Sequence, residues 1–158
     1  LALSSHHRSV FPKLEKEKQI DIFHLRYNAA HRGAEPEVFD HLPEEGGPGV
    51  VSFTSNRWGS LIDPAWTPPG EPPPSVSDCH RFVLSHPKVH VACCGPSNME
   101  QLQQNLECLE AGPMSDDELE RMRRIGRHVY EQGAPWTAQI RAMLGVVSRP
   151  FRRESDTG

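Results

Sequence analysis

Short, mostly apolar runs alternate along the chain with longer stretches in which apolar residues recur every three or four positions. The runs are residues 1–4 (LALS), 20–25 (IDIFHL), 50–54 (VVSFT) and 89–93 (VHVAC). Each is short and largely apolar on both faces, the pattern of parallel strands covered by helices. Between them lie helical patterns. Residues 35–42 place Val38, Phe39 and Leu42 on one face, and 75–85 gather Val76, Cys79, Phe82 and Val83 before Pro87. Residues 97–110 open on Ser97-x-x-Glu100, a capping-box spacing, and carry Leu102, Leu106 and Leu109 at helical intervals. Residues 115–132 open the same way on Ser115-x-x-Glu118 and predict burial of Leu119, Met122, Ile125 and Val129.

Residues 64–74 (PAWTPPGEPPP) hold too many prolines for helix or strand and read as an extended surface loop or lid. Residues 145–158 read as a disordered tail, leaving 1–144 as one folded unit. Strand then helix, repeated, predicts an α/β fold with a parallel sheet and right-handed crossovers. Two architectures fit, an open doubly wound sheet or part of a closed barrel. The G-x-G-x-x-G phosphate fingerprint of the first is absent. A whole eight-stranded barrel takes about 250 residues, so 158 supply about half of one.

Charge narrows the classes. With 17 Lys and Arg against 21 Asp and Glu, the formal charge of −4 argues against a general nucleic-acid surface. No apolar run approaches the roughly 20 residues of a membrane-spanning helix. The opening LALSSHHR lacks the pattern of a secretory leader. Beginning on Leu1 within an apolar run, the chain reads as a fragment of a longer protein. The 4 cysteines, Cys79, Cys93, Cys94 and Cys108, match no zinc spacing and are expected to be reduced and buried in a cytoplasmic protein. The histidines offer no fixed ligand set, so no metal is expected.

The densest polar cluster, residues 26–35 (RYNAAHRGAE), follows directly on the strand IDIFHL, at the end where parallel α/β folds bind ligands. Ile22, His24 and Arg26 share one face of that strand. An arginine there lines a site or closes the barrel mouth by pairing with Glu35 or Asp63. The other strands also end in polar clusters: residues 4–8 (SSHHR), 54–59 (TSNRWG) and 95–98 (GPSN). The last begins a helix, where free backbone N–H groups favour an anion. Four polar strand ends on one rim are a stronger sign of a site than any one of them.

The strings RYNAAHRGAE, GVVSFTSNRWGSL and RFVLSHPKVHVACCGPSNMEQLQQNLECLEAGPMSDDELERMRRIG together resemble the C-terminal half of an aldo/keto reductase. The resemblance runs from Leu1 to about Gln132. It implies a (β/α)8 TIM barrel of which this chain covers strands five to eight, with their helices and a C-terminal helix. It implies hydride transfer between NADPH, or NADH, and an aldehyde or ketone. By the same resemblance Ser4, Ser5 and His24 face the nicotinamide carboxamide and Phe53 stacks on its ring. Thr54, Ser55, Asn56 and Arg57 run beside the pyrophosphate, while Gly95, Ser97, Asn98, Gln101, Gln104 and Asn105 hold the adenosine end. Ser5 replaces a commoner Asn. Gln101 stands where many members carry an arginine for the 2′-phosphate, a departure that relaxes the expected preference towards NADH, and Gln104 stands where a carboxylate often meets adenine, keeping a polar contact without the charge; cofactor choice stays open.

The family's catalytic Asp, Tyr, Lys and His come from the first four strands, and no segment matching them is present. Tyr27 and Tyr130 are the 2 tyrosines, and neither corresponds to the catalytic acid. The expectation is therefore a cofactor-binding half, inactive alone, needing the other half of the barrel or a second copy of itself to cover its edge strands. The alternatives are a non-catalytic half-barrel holding a nucleotide or a protein partner, and a phosphate-handling isomerase barrel, for which Gly95 alone is a poor phosphate loop. Trp58, Trp66 and Trp136 are candidates to line a substrate pocket or to pack loops.

Overall fold

The computed structural model describes the backbone of residues 1–143 and the side chains of residues 1–133. The expected tail and the side chain of Trp136 lie outside the described residues. The strands are β1 (Ala2–Ser4), β2 (Ile22–Arg26), β3 (Gly49–Phe53) and β4 (Val91–Ala92). The helices are α1 (Phe11–Glu17), α2 (Ala34–Glu37), α3 (Val76–Leu84), α4 (Met99–Ala111) and α5 (Asp116–Met143). All pairings are parallel and the strand order is sequential, β1-β2-β3-β4. That is the order of consecutive barrel strands; a doubly wound sheet would reverse it.

The two faces of the sheet differ sharply. Phe23, Leu25, Val50 and Ser52 point under the helices and are fully buried, as is Tyr27 just beyond β2. Phe11 of α1 packs on Phe23 with ring centroids 4.8 Å apart, and Tyr27 meets Phe39 and Phe82 at 5.2 and 5.8 Å. The alternate residues look the other way. Ser4, His24 and Val51 are register neighbours, as are Arg26 and Phe53, and none of these is fully buried. In a closed barrel this face would be the packed interior.

Several elements depart from the sequence reading. The helix expected over 35–42 is one turn of α2 followed by a 3-10 turn, Phe39–His41, because Val38 leaves helical geometry at φ −132 and ψ −60. Helix α1 was not foreseen; Pro12 in its first turn and the short Phe11–Leu14 spacing give a weak periodic signal. Helix α4 is capped by Asn98, which accepts from the Gln101 N–H at 2.9 Å, and not through a Ser97–Glu100 box. Its expected core face is open: Leu106 and Leu109 are exposed and Leu102 only half-buried. Helix α5 runs well past residue 132.

Other expectations match, though Leu119 is only half-buried. Ser75 and Asp78 form a full capping box on α3. Ser115 and Glu118 do the same on α5, where Met122, Ile125 and Val129 are buried. The proline-rich segment is a loop containing one 3-10 turn, Pro64–Trp66. It is strapped to α5 through Glu71, which takes two bonds from Arg124 at 3.0 and 2.9 Å, and through the Pro72 carbonyl, which accepts from Arg121 at 2.7 Å. The four cysteines divide: Cys79 and Cys108 are buried, but Cys93 and Cys94 are exposed because β4 ends before them.

Candidate functional site

Two cavities open at the C-terminal ends of the strands, on either side of the loop that follows β3. That loop is strained. Thr54, Arg57 and Trp58 all adopt positive φ (61, 53 and 53), a region unfavourable for a β-branched or bulky residue. Asn28 fastens it from below: its side-chain amide donates to the Thr54 carbonyl at 2.8 Å, while its carbonyl oxygen accepts from Ala30 and His31 at 3.0 and 2.8 Å. Strain maintained in this way is typical of a functional loop.

The first cavity, about 370 Å³, lies between the ends of β3 and β4 and the start of α4. Thr54, Ser55 and Asn56 form one wall; Gly95, Gln101, Gln104 and Asn105 form the other. The Ser55 hydroxyl is buried here without a hydrogen-bond partner. Gln101 is engaged locally, its carbonyl oxygen accepting from the Ser97 N–H at 2.8 Å. Ser97 and Asn98 are exposed beside the cavity and organise the start of α4 without lining the wall. His80, Cys93 and Cys94 line it as well, and the sequence reading had not singled them out for this. Burial lowers the His80 pKa, against an opposing hydrogen bond with Asn105.

The remaining expected contacts are scattered. Ser4 and His24 sit side by side on the uncovered face of the sheet, and Phe53 lies beside Arg26 one register step further along. Ser5 turns away: its hydroxyl accepts from the His7 N–H at 3.0 Å and faces a groove against α1. Arg57 stands on the far side of its loop, in the second cavity.

That second cavity, about 640 Å³, is bounded by Arg8, Arg26, Arg57, the loop after β2, and α5 through Tyr130 and Gly133. The mouth-closing ion pair expected for Arg26 does not form. Glu35 instead binds Arg32 at 2.7 Å and accepts from the Tyr27 hydroxyl at 2.8 Å, and Asp63 caps a 3-10 turn through the Ala65 N–H. Tyr27 is buried, and burial together with Glu35 raises its pKa, so its hydroxyl holds its proton.

No protein-family model and no curated protein matches the chain. Among solved structures, the holo form of aldo-keto reductase AKR11C1 from Bacillus halodurans superposes with a TM-score of 0.61 at 20% identity, over 78% of this chain and 49% of that one. The chain has the fold of half an aldo-keto reductase. The apo form of the same reductase gives a TM-score of 0.59 at 20% identity, over 77% and 49% of the two chains. This chain thus spans about half the length of the aldo-keto reductases it matches, which accounts for a parallel sheet finished on its helical side and bare on the other.

Proposed function

We propose that this chain is the C-terminal, cofactor-binding half of an NAD(P)H-dependent carbonyl reductase of the aldo-keto type, and that alone it reduces nothing. The observation that carries the reading is the first cavity. It gathers Thr54, Ser55, Asn56, Gly95, Gln101, Gln104 and Asn105 around a buried, unpartnered Ser55 hydroxyl. An orphaned hydroxyl donor at the mouth of a polar cavity beside a helix start suits a phosphate oxygen. Ser55 and Asn56 would hold the pyrophosphate, and Gln101, Gln104 and Asn105 the adenosine end. When bound, the nicotinamide supplies a hydride. With the neutral Gln101 in place of an arginine at the 2′-phosphate, the preference for NADPH over NADH is weak.

Among the described residues none corresponds to the family's catalytic tyrosine with its lysine. The buried Tyr27 hydroxyl keeps its proton and donates a hydrogen bond to Glu35, and no described lysine stands against it. A bare hydride site leaves the developing alkoxide unstabilised. The missing chemistry belongs to the other half of the barrel, which would also cover the open face of the sheet; a second copy of this chain could cover that face but would bring no catalytic acid. The same reading places the protein in a reducing, cytoplasmic setting, which the free Cys93 and Cys94 support.

Calorimetric titration of the chain with NADPH and NADH tests this. Both should bind saturably, and Ser55→Ala or Gln104→Ala should weaken binding, about tenfold for the serine that meets a charged oxygen. Absence of saturable binding would remove the nicotinamide reading and leave a half-barrel that serves another partner. Aldehyde turnover that is lost in Tyr27→Phe would overturn the claim of inactivity.

A further inference from the structure

The second cavity collects arginines from three successive strand ends: Arg8 beyond β1, Arg26 at the end of β2 and Arg57 beyond β3. Arg32, also in its wall, is neutralised by Glu35, and Arg8 by Glu37 at 2.8 Å. Arg26 and Arg57 have no carboxylate among the described residues. Arg57, only 8% exposed, donates to the Val129 carbonyl of α5 at 2.8 Å, a neutral acceptor. Arg26 keeps its Nε buried with no acceptor, its guanidinium 6.0 Å from the centre of the exposed Trp58 ring. Each cation disfavours the charge of its neighbours: burial and Arg8 lower the Arg26 pKa, and burial and Arg26 lower that of Arg57. Among the described residues Glu37 is the only carboxylate lining this cavity. Charges withdrawn from water without a counter-charge are costly, and an incoming anion removes the cost.

We propose that this cavity binds the anionic group of a small molecule, a carboxylate or phosphate, with Arg26 in direct contact and Arg57 as a fixed flank. Its position separates it from the cofactor's own phosphates. Thr54, Ser55 and Asn56 face the first cavity, whereas Arg57, next in the same loop, faces the second. Assigning the anion to the carbonyl substrate rests on the function proposed above; the anion site itself does not. Planar guanidiniums match carboxylate and phosphate oxygens two at a time, and Arg26 has the free donors to do so.

His31 supplies a reporter. Its ring packs edge-on against Tyr130 at 5.7 Å, with Nδ1 3.4 Å from the Asn28 carbonyl oxygen. Burial, then Arg26, Arg57 and Arg8, hold its pKa down to about 4. Arg32, Glu37 and Tyr130 are the other ionisable groups lining the same space.

The test titrates the full chain at constant ionic strength with inorganic phosphate and with malonate, following heat and the His31 imidazole resonances, with and without NADPH. Saturable binding is expected for at least one anion, accompanied by a rise in the His31 pKa. Phosphate as the tighter ligand marks a phosphoryl substrate, malonate a carboxylate one. Arg26→Gln should weaken binding about tenfold or more. Arg26→Lys, which keeps the charge but loses the fork, should fall between, and it guards against a misfolded Gln variant. NADPH binding should be unchanged in both. The proposal is overturned if neither anion saturates, if Arg26→Gln binds like the wild type, or if NADPH and Gln104→Ala each abolish anion binding, which would place the anion in the cofactor groove. If the anions bind and NADPH does not, the reductase reading falls while the anion site stands.

Discussion

Asn28 is fully buried and places both ends of its amide on backbone groups of two different loops. Asn28→Ala would strand the Thr54 carbonyl and the N–H groups of Ala30 and His31, at a cost of about 3 kcal/mol or more. Urea denaturation should show that loss, and NADPH binding should weaken with it because the strained loop loses its tether. Acid acts through the histidines. Burial lowers the pKa of His31, His80 and His86, to about 4 for His31 against an ordinary 6.5. Between those two values the unfolded chain binds protons that folded His31 refuses, so stability is fully present above about pH 6.5 and declines as the pH falls toward 4. Denaturation at pH 7 and pH 5 should differ accordingly, with a smaller difference in His31→Gln. The candidate site was partly legible at this scale, since polar residues just past apolar runs identify strand ends. Partnership was not: that Glu35 takes Arg32 and Tyr27 rather than Arg26 depends on how the loop after β2 folds back.

At the scale of elements, helix α5 owes its position to two glycines. A methyl group on Gly126 would overlap the Ala29 carbonyl, and one on Gly133 would strike the Arg57 guanidinium. In an exposed helix Gly→Ala stabilises by about 1 kcal/mol. Gly126→Ala should reverse that sign and destabilise by about 1–3 kcal/mol, read from the denaturation midpoint. The Glu71 strap should behave differently. Glu71→Ala should leave the denaturation midpoint almost unchanged, because Arg124 and Arg121 meet it at the solvent-screened surface. Its effect should appear as faster proteolytic cutting within residues 68–74. Periodicity located every strand and three of the helices, because burial on one side repeats at the spacing of the element. It missed α1, too short to repeat, and ran through the break at Val38, which is set by a backbone angle and not by side-chain pattern.

The molecule as a whole has one finished side. Under the helices Phe11, Phe23, Leu25, Val50 and Ile125 are fully buried, while Ile22 on the open face of β2, Val91 on the edge strand β4, and Leu106 and Leu109 on α4 remain 38–67% exposed. Apolar surface of this kind favours association. Sedimentation should show concentration-dependent self-association of the chain, and the double variant Leu106→Lys, Leu109→Lys should reduce it with little change in stability. The leucines of α4 show what periodicity can and cannot reveal. It correctly places them on one face, but whether that face is covered depends on a surface outside the described residues.

The uneven sheet has a kinetic consequence. On the helical side each strand pairs with the strand next to it in sequence and α3 packs against α4, so much of that layer closes from near neighbours and should form quickly. The bare side can be satisfied only by a collision with another surface. Refolding from urea should therefore divide into a first phase whose rate is independent of protein concentration and a later one that accelerates with it. The order of events is set by which side of the sheet the chain completes for itself.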